Sequence, residues 1–268
     1  WPGDPKMFRV KICGVMTPAD ARLVADAGAD AIGLNFVAGS PRRLDLTVAR
    51  AVTDAIPKGV LRVGVFAGVA AEEIQRVAML VGLNAIQLHG HLEPQTNGGE
   101  AAAYDPPELC AQLASLLAGM PLIRAVRLQP EGASGVGESP HAGWNGLAAA
   151  RRWIEAARAC GKAPDIVVVD AGLARGTPSG QLGGTGATVN WEELTRAGSL
   201  GIPMALAGGL TPDNVANAMR LTGIGSVDTA SGVESAPGRK DPEKVRAFVA
   251  AALLRTFPPA FPSIGSCS

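Results

Sequence analysis

Eight short apolar runs, each followed by a helix-like stretch, predict a single α/β domain folded as a (β/α)8 TIM barrel. Three observations carry this. The runs are nearly continuous in Val, Ile, Leu and Ala, as strands of a parallel sheet buried on both faces must be. Their number suits a closed barrel better than an open doubly wound sheet, the alternative if one strand is miscounted. The length, 268 residues, suits one such barrel of roughly 200–250 residues plus insertions, so no internal domain boundary is needed.

The elements follow in order. Residues 8–13 (FRVKIC) precede a helix over 17–27, with Thr17 as N-cap and Pro18 at the first helical position. Residues 30–36 (DAIGLNF) precede a helix over 46–56. Residues 61–66 (LRVGVF) precede one over 71–81, where Ile74, Val77, Ala78 and Val81 share a face. Residues 84–88 (NAIQL) lead to a helix over 107–117, and 122–128 (LIRAVRL) to one over 147–160. Residues 165–170 (DIVVVD) precede a helix over 191–197. Residues 203–207 (PMALA) precede one over 212–221 capped by Thr211, and 226–229 (SVDT) one over 242–254 capped by Asp241. The stretches 94–106, 129–143 and 171–183 are long for βα loops and read as surface insertions. The barrel domain is expected over 7–255, with 1–6 an N-terminal extension and 256–268 a Pro/Ser-rich tail.

Composition limits the function classes. Lys plus Arg equal Asp plus Glu at 24 each, which argues against binding nucleic acid by broad phosphate neutralisation. A local anion site made of backbone N–H groups needs no net charge, and the 34 glycines call for such an explanation. The four cysteines (13, 110, 160 and 267) show no C-x-x-C pair, so a reducing compartment is expected. No apolar run approaches bilayer-spanning length, and a cytoplasmic protein without a membrane partner is the simplest expectation.

In a barrel of this kind, function sits at the C-terminal strand ends and the loops that follow. Glycine clusters there after strands 6, 7 and 8, at Gly183-Gly184-Thr185-Gly186, Gly208-Gly209 and Ser231-Gly232. Glycine lets backbone approach an anion closely, so a phosphate site is expected at these three loops, although turn chemistry alone also recruits glycine. Cys13 ends strand 1, and Lys11 shares its face by alternation. A thiol there serves as base or nucleophile if its pKa falls; the competing reading is a small buried hydrophobe. Asp170 ends a wholly apolar strand, where desolvation suits a carboxyl to act as general acid unless backbone donors simply hold it. Arg42 or Arg43 can clamp a carboxylate, or be a solvated pair. His89 and His91 lack an evident third ligand, so metal is not expected. Dinucleotide, NTP and esterase signatures are missing.

Taken together, these residues resemble the phosphoribosylanthranilate isomerase family of tryptophan biosynthesis. The resemblance rests on Val10-Lys-Ile-Cys-Gly14, Ser40-Pro-Arg42, Gly64-Val-Phe66, Gln87-Leu-His-Gly90, Asp170 with Gly183–Gly186, Ala207-Gly-Gly-Leu210, and Ser231-Gly-Val-Glu234 with Pro237-Gly238 and Lys240-Asp241. These run in family order over residues 8 to about 254, and the set is highly specific.

The resemblance implies an Amadori rearrangement of N-(5-phosphoribosyl)anthranilate to 1-(2-carboxyphenylamino)-1-deoxyribulose 5-phosphate, without metal or organic cofactor. It implies Asp170 as the acid that protonates the furanose oxygen and Cys13 as the base that takes the C2 proton. It implies Arg42 as the ligand of the anthranilate carboxylate. The phosphate would be held around Gly184, Gly186, Gly208, Gly209, Ser231 and Gly232, with His89 and Asp228 lining the pocket. The partner is then a small phosphosugar, with monomer and homodimer both open. Two departures stand out: Ala230 replaces a residue often polar in the family, and the segment after Asp170 is long. Indole-3-glycerol-phosphate synthase and thiamine-phosphate synthase, neighbouring phosphate barrels, would need lysine/glutamate or pyrophosphate-binding sets in place of Cys13 with Asp170. A non-catalytic phosphosugar-binding protein would not need that pair.

Overall fold

A computed structural model of the chain describes residues 8–94, 103–127, 145–170, 191, 194 and 199–254. The expected terminal extension and tail and the segments 129–143 and 171–183 lie outside the described residues. Eight parallel strands close into a barrel in sequence order: β1 (Val10–Cys13), β2 (Ala31–Asn35), β3 (Leu61–Phe66), β4 (Ala85–Leu88), β5 (Leu122–Arg127), β6 (Ile166–Asp170), β7 (Met204–Ala207) and β8 (Val227–Thr229). Closure is made by β1 against β8, with Lys11 level with Asp228.

Around them lie α1 (Pro18–Asp26), α2 (Leu46–Asp54), α3 (Ala71–Val81), α4 (Leu109–Leu116), α5 (Asn145–Ala159), α6 (Val215–Thr222) and α7 (Pro242–Leu253). Trp191 and Leu194, between β6 and β7, are also helical. Thr17 caps α1 by accepting from the Asp20 N–H at 3.0 Å, and Asp241 caps α7 by accepting from the Glu243 and Lys244 N–H groups. No helix among the described residues is long and apolar enough to cross a membrane.

Period-two alternation splits strands β2 to β7 between two cores, while the inward residues of β1 and β8 are Lys11, Cys13 and Asp228. Inside the barrel pack Phe8, Ala31, Val63, Ala85, Ile123, Ala125, Ile166, Val168, Ala205 and Ala207. The other strand face packs against the helices through residues such as Ile12, Ile32, Leu34, Ile86, Val167 and Val169. Most of the inner core occupies the lower part of the barrel, with Ala207 reaching the level of Asp170. Continuing the alternation upward brings Lys11 and Cys13, Gln87 and His89, Arg127, Asp170 and Asp228 onto the inner face near the C-terminal rim.

Two expectations need correction, and one element is new. The helix expected over 212–221 with Thr211 as cap starts at Val215, with Asn214 at the N-cap position but making no side-chain bond to the helix. The Asn214 amide oxygen accepts from the Thr211 N–H at 2.8 Å and its Nδ2 donates to the Gly209 carbonyl at 3.0 Å, which holds 211–214 as a turn. The new element is a hairpin of β9 (Glu234–Ala236) and β10 (Arg239–Lys240), which follows β8. Its strands are too short for a periodicity reading, although Pro237-Gly238 is a turn signal. The stretch 94–106 is not wholly superficial, because Asp105 is 0% exposed.

Candidate active site

The rim is built from a polar layer above the apolar interior. Lys11, fully buried on β1, donates from Nζ to Asp228 Oδ2 on β8 at 2.8 Å. Burial works against the Lys11 charge, but Asp228 and then Cys13 outweigh it and hold the ammonium above its ordinary range. The same burial pushes the Asp228 carboxyl up, with Lys11 and Lys240 opposing it. Direct contact with an ammonium so held makes the ion pair the form that persists at neutral pH. Asp228 Oδ1, Gln87 Oε1 and His89 Nδ1 are buried without a hydrogen-bond partner among the described residues. The layer therefore has hydrogen-bonding capacity that its own side chains do not consume.

Cys13 is a partly exposed free thiol at the end of β1, whereas Cys110 is buried and its thiol is pushed up to about 12 by desolvation. The small-hydrophobe reading therefore describes Cys110 and not Cys13. A Cβ on Gly33, level with Cys13 on β2, would stand 2.6 Å from the Cys13 Sγ, so the thiol rests against bare backbone. Asp170 ends β6 and its side chain is 22% exposed. Arg127, level with it on β5, approaches to 3.8 Å. In strand order β6, β7, β8, β1, the carboxyl and the thiol stand three strands apart around the rim.

The two arginines separate. Arg43 is exposed, while Arg42 is partly buried and lies over Gly14. Its Nε and Nη2 donate to Glu234 Oε1 and Oε2 at 2.8 and 2.6 Å. That fork raises the guanidinium further above its ordinary range. Burial opposes the Glu234 charge, but hydrogen bonds from Arg42 and Lys240 hold the carboxyl below the usual carboxylate range.

At the far side of the rim, Gly208 and Gly209 are both left-handed, with φ of +87° and +65°. Gly232, in the short 3-10 turn Ser231–Val233, passes so close to the Leu210 carbonyl that no side chain fits. Thr229 Oγ1 donates to that same carbonyl at 2.8 Å. The loops after β7 and β8 thus form one tightly packed backbone corner. Gly184 and Gly186 lie outside the described residues.

His89 faces this rim from β4. Burial, followed by the positive charges of Arg127, Lys11 and Arg124, lowers its pKa to about 4, so the imidazole is neutral at neutral pH. His91 points away: its side chain is exposed and its backbone pairs with Ala103 and Tyr104.

A cluster beneath this loop was not foreseen from the sequence pattern. The Asp105 carboxylate accepts from the Gly68 N–H at 2.7 Å, the Gly90 N–H at 2.5 Å and Arg124 Nη1 at 2.8 Å. Arg124, also fully buried, donates to the Gly90 and His91 carbonyls and lies 4.7 Å from the Trp153 ring centroid. Trp153 Nε1 in turn donates to the Asp105 carbonyl at 2.8 Å. The only sequence signal was an arginine inside an apolar strand.

Comparison with known proteins gives this rim a context. The sequence model of N-(5'phosphoribosyl)anthranilate (PRA) isomerase matches residues 10–103 and 150–251. The chain belongs to that family.

A Myxococcus xanthus member is 38% identical over 244 residues, 91% of this chain and 95% of its own. A Rubrobacter xylanophilus member is 36% identical over 92% of this chain and 99% of its own. The crystal structure of the Thermotoga maritima phosphoribosyl anthranilate isomerase superposes with a TM-score of 0.69 at 31% identity, covering 92% of this chain and 98% of that one. Another crystal structure of the family, in complex with reduced 1-(o-carboxyphenylamino)-1-deoxyribulose 5-phosphate, has a TM-score of 0.65 at 28% identity, covering 92% of this chain and 98% of that one. A further Thermotoga maritima structure is of monomers generated from a dimeric member.

Proposed function

We propose that this isomerase acts in tryptophan biosynthesis, in the cytoplasm, and converts N-(5-phosphoribosyl)anthranilate to 1-(2-carboxyphenylamino)-1-deoxyribulose 5-phosphate. The observation that carries the reading is the pair of proton-transfer groups on one rim, the Cys13 thiol on β1 and the Asp170 carboxyl on β6. Asp170 protonates the furanose ring oxygen, and the C1–O bond breaks to leave an iminium. Arg127, 3.8 Å from Asp170, stabilises the carboxylate left after donation. Cys13 then removes the C2 proton, and the resulting enolamine tautomerises to the ketone. The buried Lys11 ammonium shares the inner face of β1 with Cys13.

The remaining groups fix the substrate at both ends. The backbone corner of Gly208, Gly209, Ser231 and Gly232 takes the phosphate, with Gly184 and Gly186 assigned to the same site from sequence. Arg42 takes the anthranilate carboxylate, while neutral His89 and Asp228 line the pocket. Binding the remote phosphate and carboxylate positions C1 and C2 between acid and base. Loss of anthranilate fluorescence on adding enzyme tests the assignment, and no turnover by the wild type refutes it. Cys13→Ala and Asp170→Asn are each expected to lower kcat by about 10²-fold or more. Near-wild-type kcat in either variant would remove that residue from its role.

A further inference from the structure

The motif Ser231-Gly-Val-Glu234…Pro237-Gly238-Arg-Lys240-Asp241 contains two buried charged residues with no assigned part in the chemistry, Glu234 and Lys240. Both are buried, with 7% and 3% of their surface exposed. The hairpin β9–β10 brings them together, Lys240 Nζ donating to Glu234 Oε1 at 2.8 Å. The other contacts of Lys240 Nζ are the Cys13 carbonyl at 2.7 Å and the Ala230 carbonyl at 3.0 Å. An ammonium has three protons, and these contacts use all three. Lys240 is therefore a tie between the end of β1, the loop after β8 and Glu234, with no donor left for substrate.

Glu234, anchored in this way, grips Arg42 from the side through Nε and Nη2. A guanidinium has five N–H donors. Side-on pairing takes one from Nε and one from Nη2, and leaves the end-on edge of Nη1 and Nη2 for a second carboxylate. Lys244 Nζ holds the Glu234 backbone carbonyl at 2.9 Å, so the residue is fixed at its backbone as well as at its carboxylate.

We propose that Glu234, anchored by Lys240, is a positioning residue that orients Arg42 so that its end-on edge receives the substrate carboxylate. The inference rests on the proposed role of Arg42. It also accounts for the second half of the motif, since the β9–β10 hairpin delivers the counter-ion that aims a residue from the loop after β2.

The deciding experiment is equilibrium titration with anthranilate, followed by calorimetry on the intact protein, beside steady-state kinetics. Glu234→Gln keeps the shape of the side chain and gives up the charge. It is expected to weaken anthranilate binding and raise KM at least tenfold, with kcat within threefold and inhibition by inorganic phosphate within twofold. In an Arg42→Met background the same substitution is expected to change KM less than twofold, because its route of action is gone. Arg42→Lys, which keeps the charge and loses the fork, is expected to lose as much as Glu234→Gln and serves if that variant does not fold. Wild-type anthranilate affinity in Glu234→Gln or Arg42→Lys overturns the proposal, as does an undiminished Glu234→Gln effect in the Arg42→Met background. The titration needs no turnover, so its outcome is separate from that of the activity assay.

Discussion

Replacing Asp105 by Ala removes the only carboxylate among the described residues that touches the fully buried Arg124 guanidinium. The loss has two parts. Breaking a buried pair by deleting one member leaves an uncompensated charge, which costs about 3–5 kcal/mol. The Gly68 and Gly90 N–H groups also lose their acceptor, at about 1–3 kcal/mol each where water cannot reach them. The two parts overlap as the site relaxes, so the expected destabilisation is about 4–6 kcal/mol, a large share of the roughly 5–15 kcal/mol a domain possesses. Trp153 stacks on Arg124 and donates to the Asp105 backbone, so its fluorescence reports the site directly. Urea titration of Asp105→Ala against wild type measures the difference. The double variant Asp105→Ala/Arg124→Met is expected to be more stable than Asp105→Ala alone, since it deletes the stranded charge. A loss below about 1 kcal/mol, or a double variant no better than the single, would refute the reasoning.

Three further outcomes follow from the geometry. His89, lowered from 6.5 to about 4, is neutral in the fold, so the unfolded chain binds the extra proton between those values. Stability is expected to fall by about 3 kcal/mol as pH drops from 6.5 to 4 and to lose nothing more from this residue below that. Denaturation midpoints of wild type and His89→Gln across the interval check this, and equal slopes would contradict it. Gly33→Ala sets a methyl 2.6 Å from the Cys13 Sγ and must move the thiol. A displacement of order 1 Å can cost about 10²-fold, so kcat is expected to fall tenfold or more while circular dichroism stays native; an unchanged kcat would free the thiol from this constraint. Gly232→Ala collides with the Leu210 carbonyl and is expected to raise the inhibition constant of inorganic phosphate at least fivefold, against no change if the corner is not the phosphate site.

The elements of this barrel were legible because each rests on local chemistry. The spans 61–66 and 71–81 agree with β3 and α3 to the residue, since an apolar run and a 3.6-residue stripe are written within a few turns of chain. Cys13, Asp170 and the glycines were legible for a related reason: once strands are counted, the strand ends are known, and in a barrel they share one rim. The later start of α6 was not legible because Thr211-Pro212 offers a good local helix start, and only the bonds of the Asn214 side chain to the Thr211 N–H and the Gly209 carbonyl hold 211–214 as a turn.

Sequence by itself determined the strand count, the inward register and which residues reach the rim, because alternation propagates along each strand without reference to its neighbours. It could not determine whom the charged residues meet. Lys11 finds Asp228 217 positions away, Arg42 finds Glu234 192 positions away, and Lys240 reaches the carbonyl of Cys13 across 227. Such pairs form where barrel closure brings β8 and its hairpin against β1, and only the tertiary structure specifies that geometry. Barrel closure is also what commits Lys11 and Lys240 to their partners, because burial leaves no water to take their place.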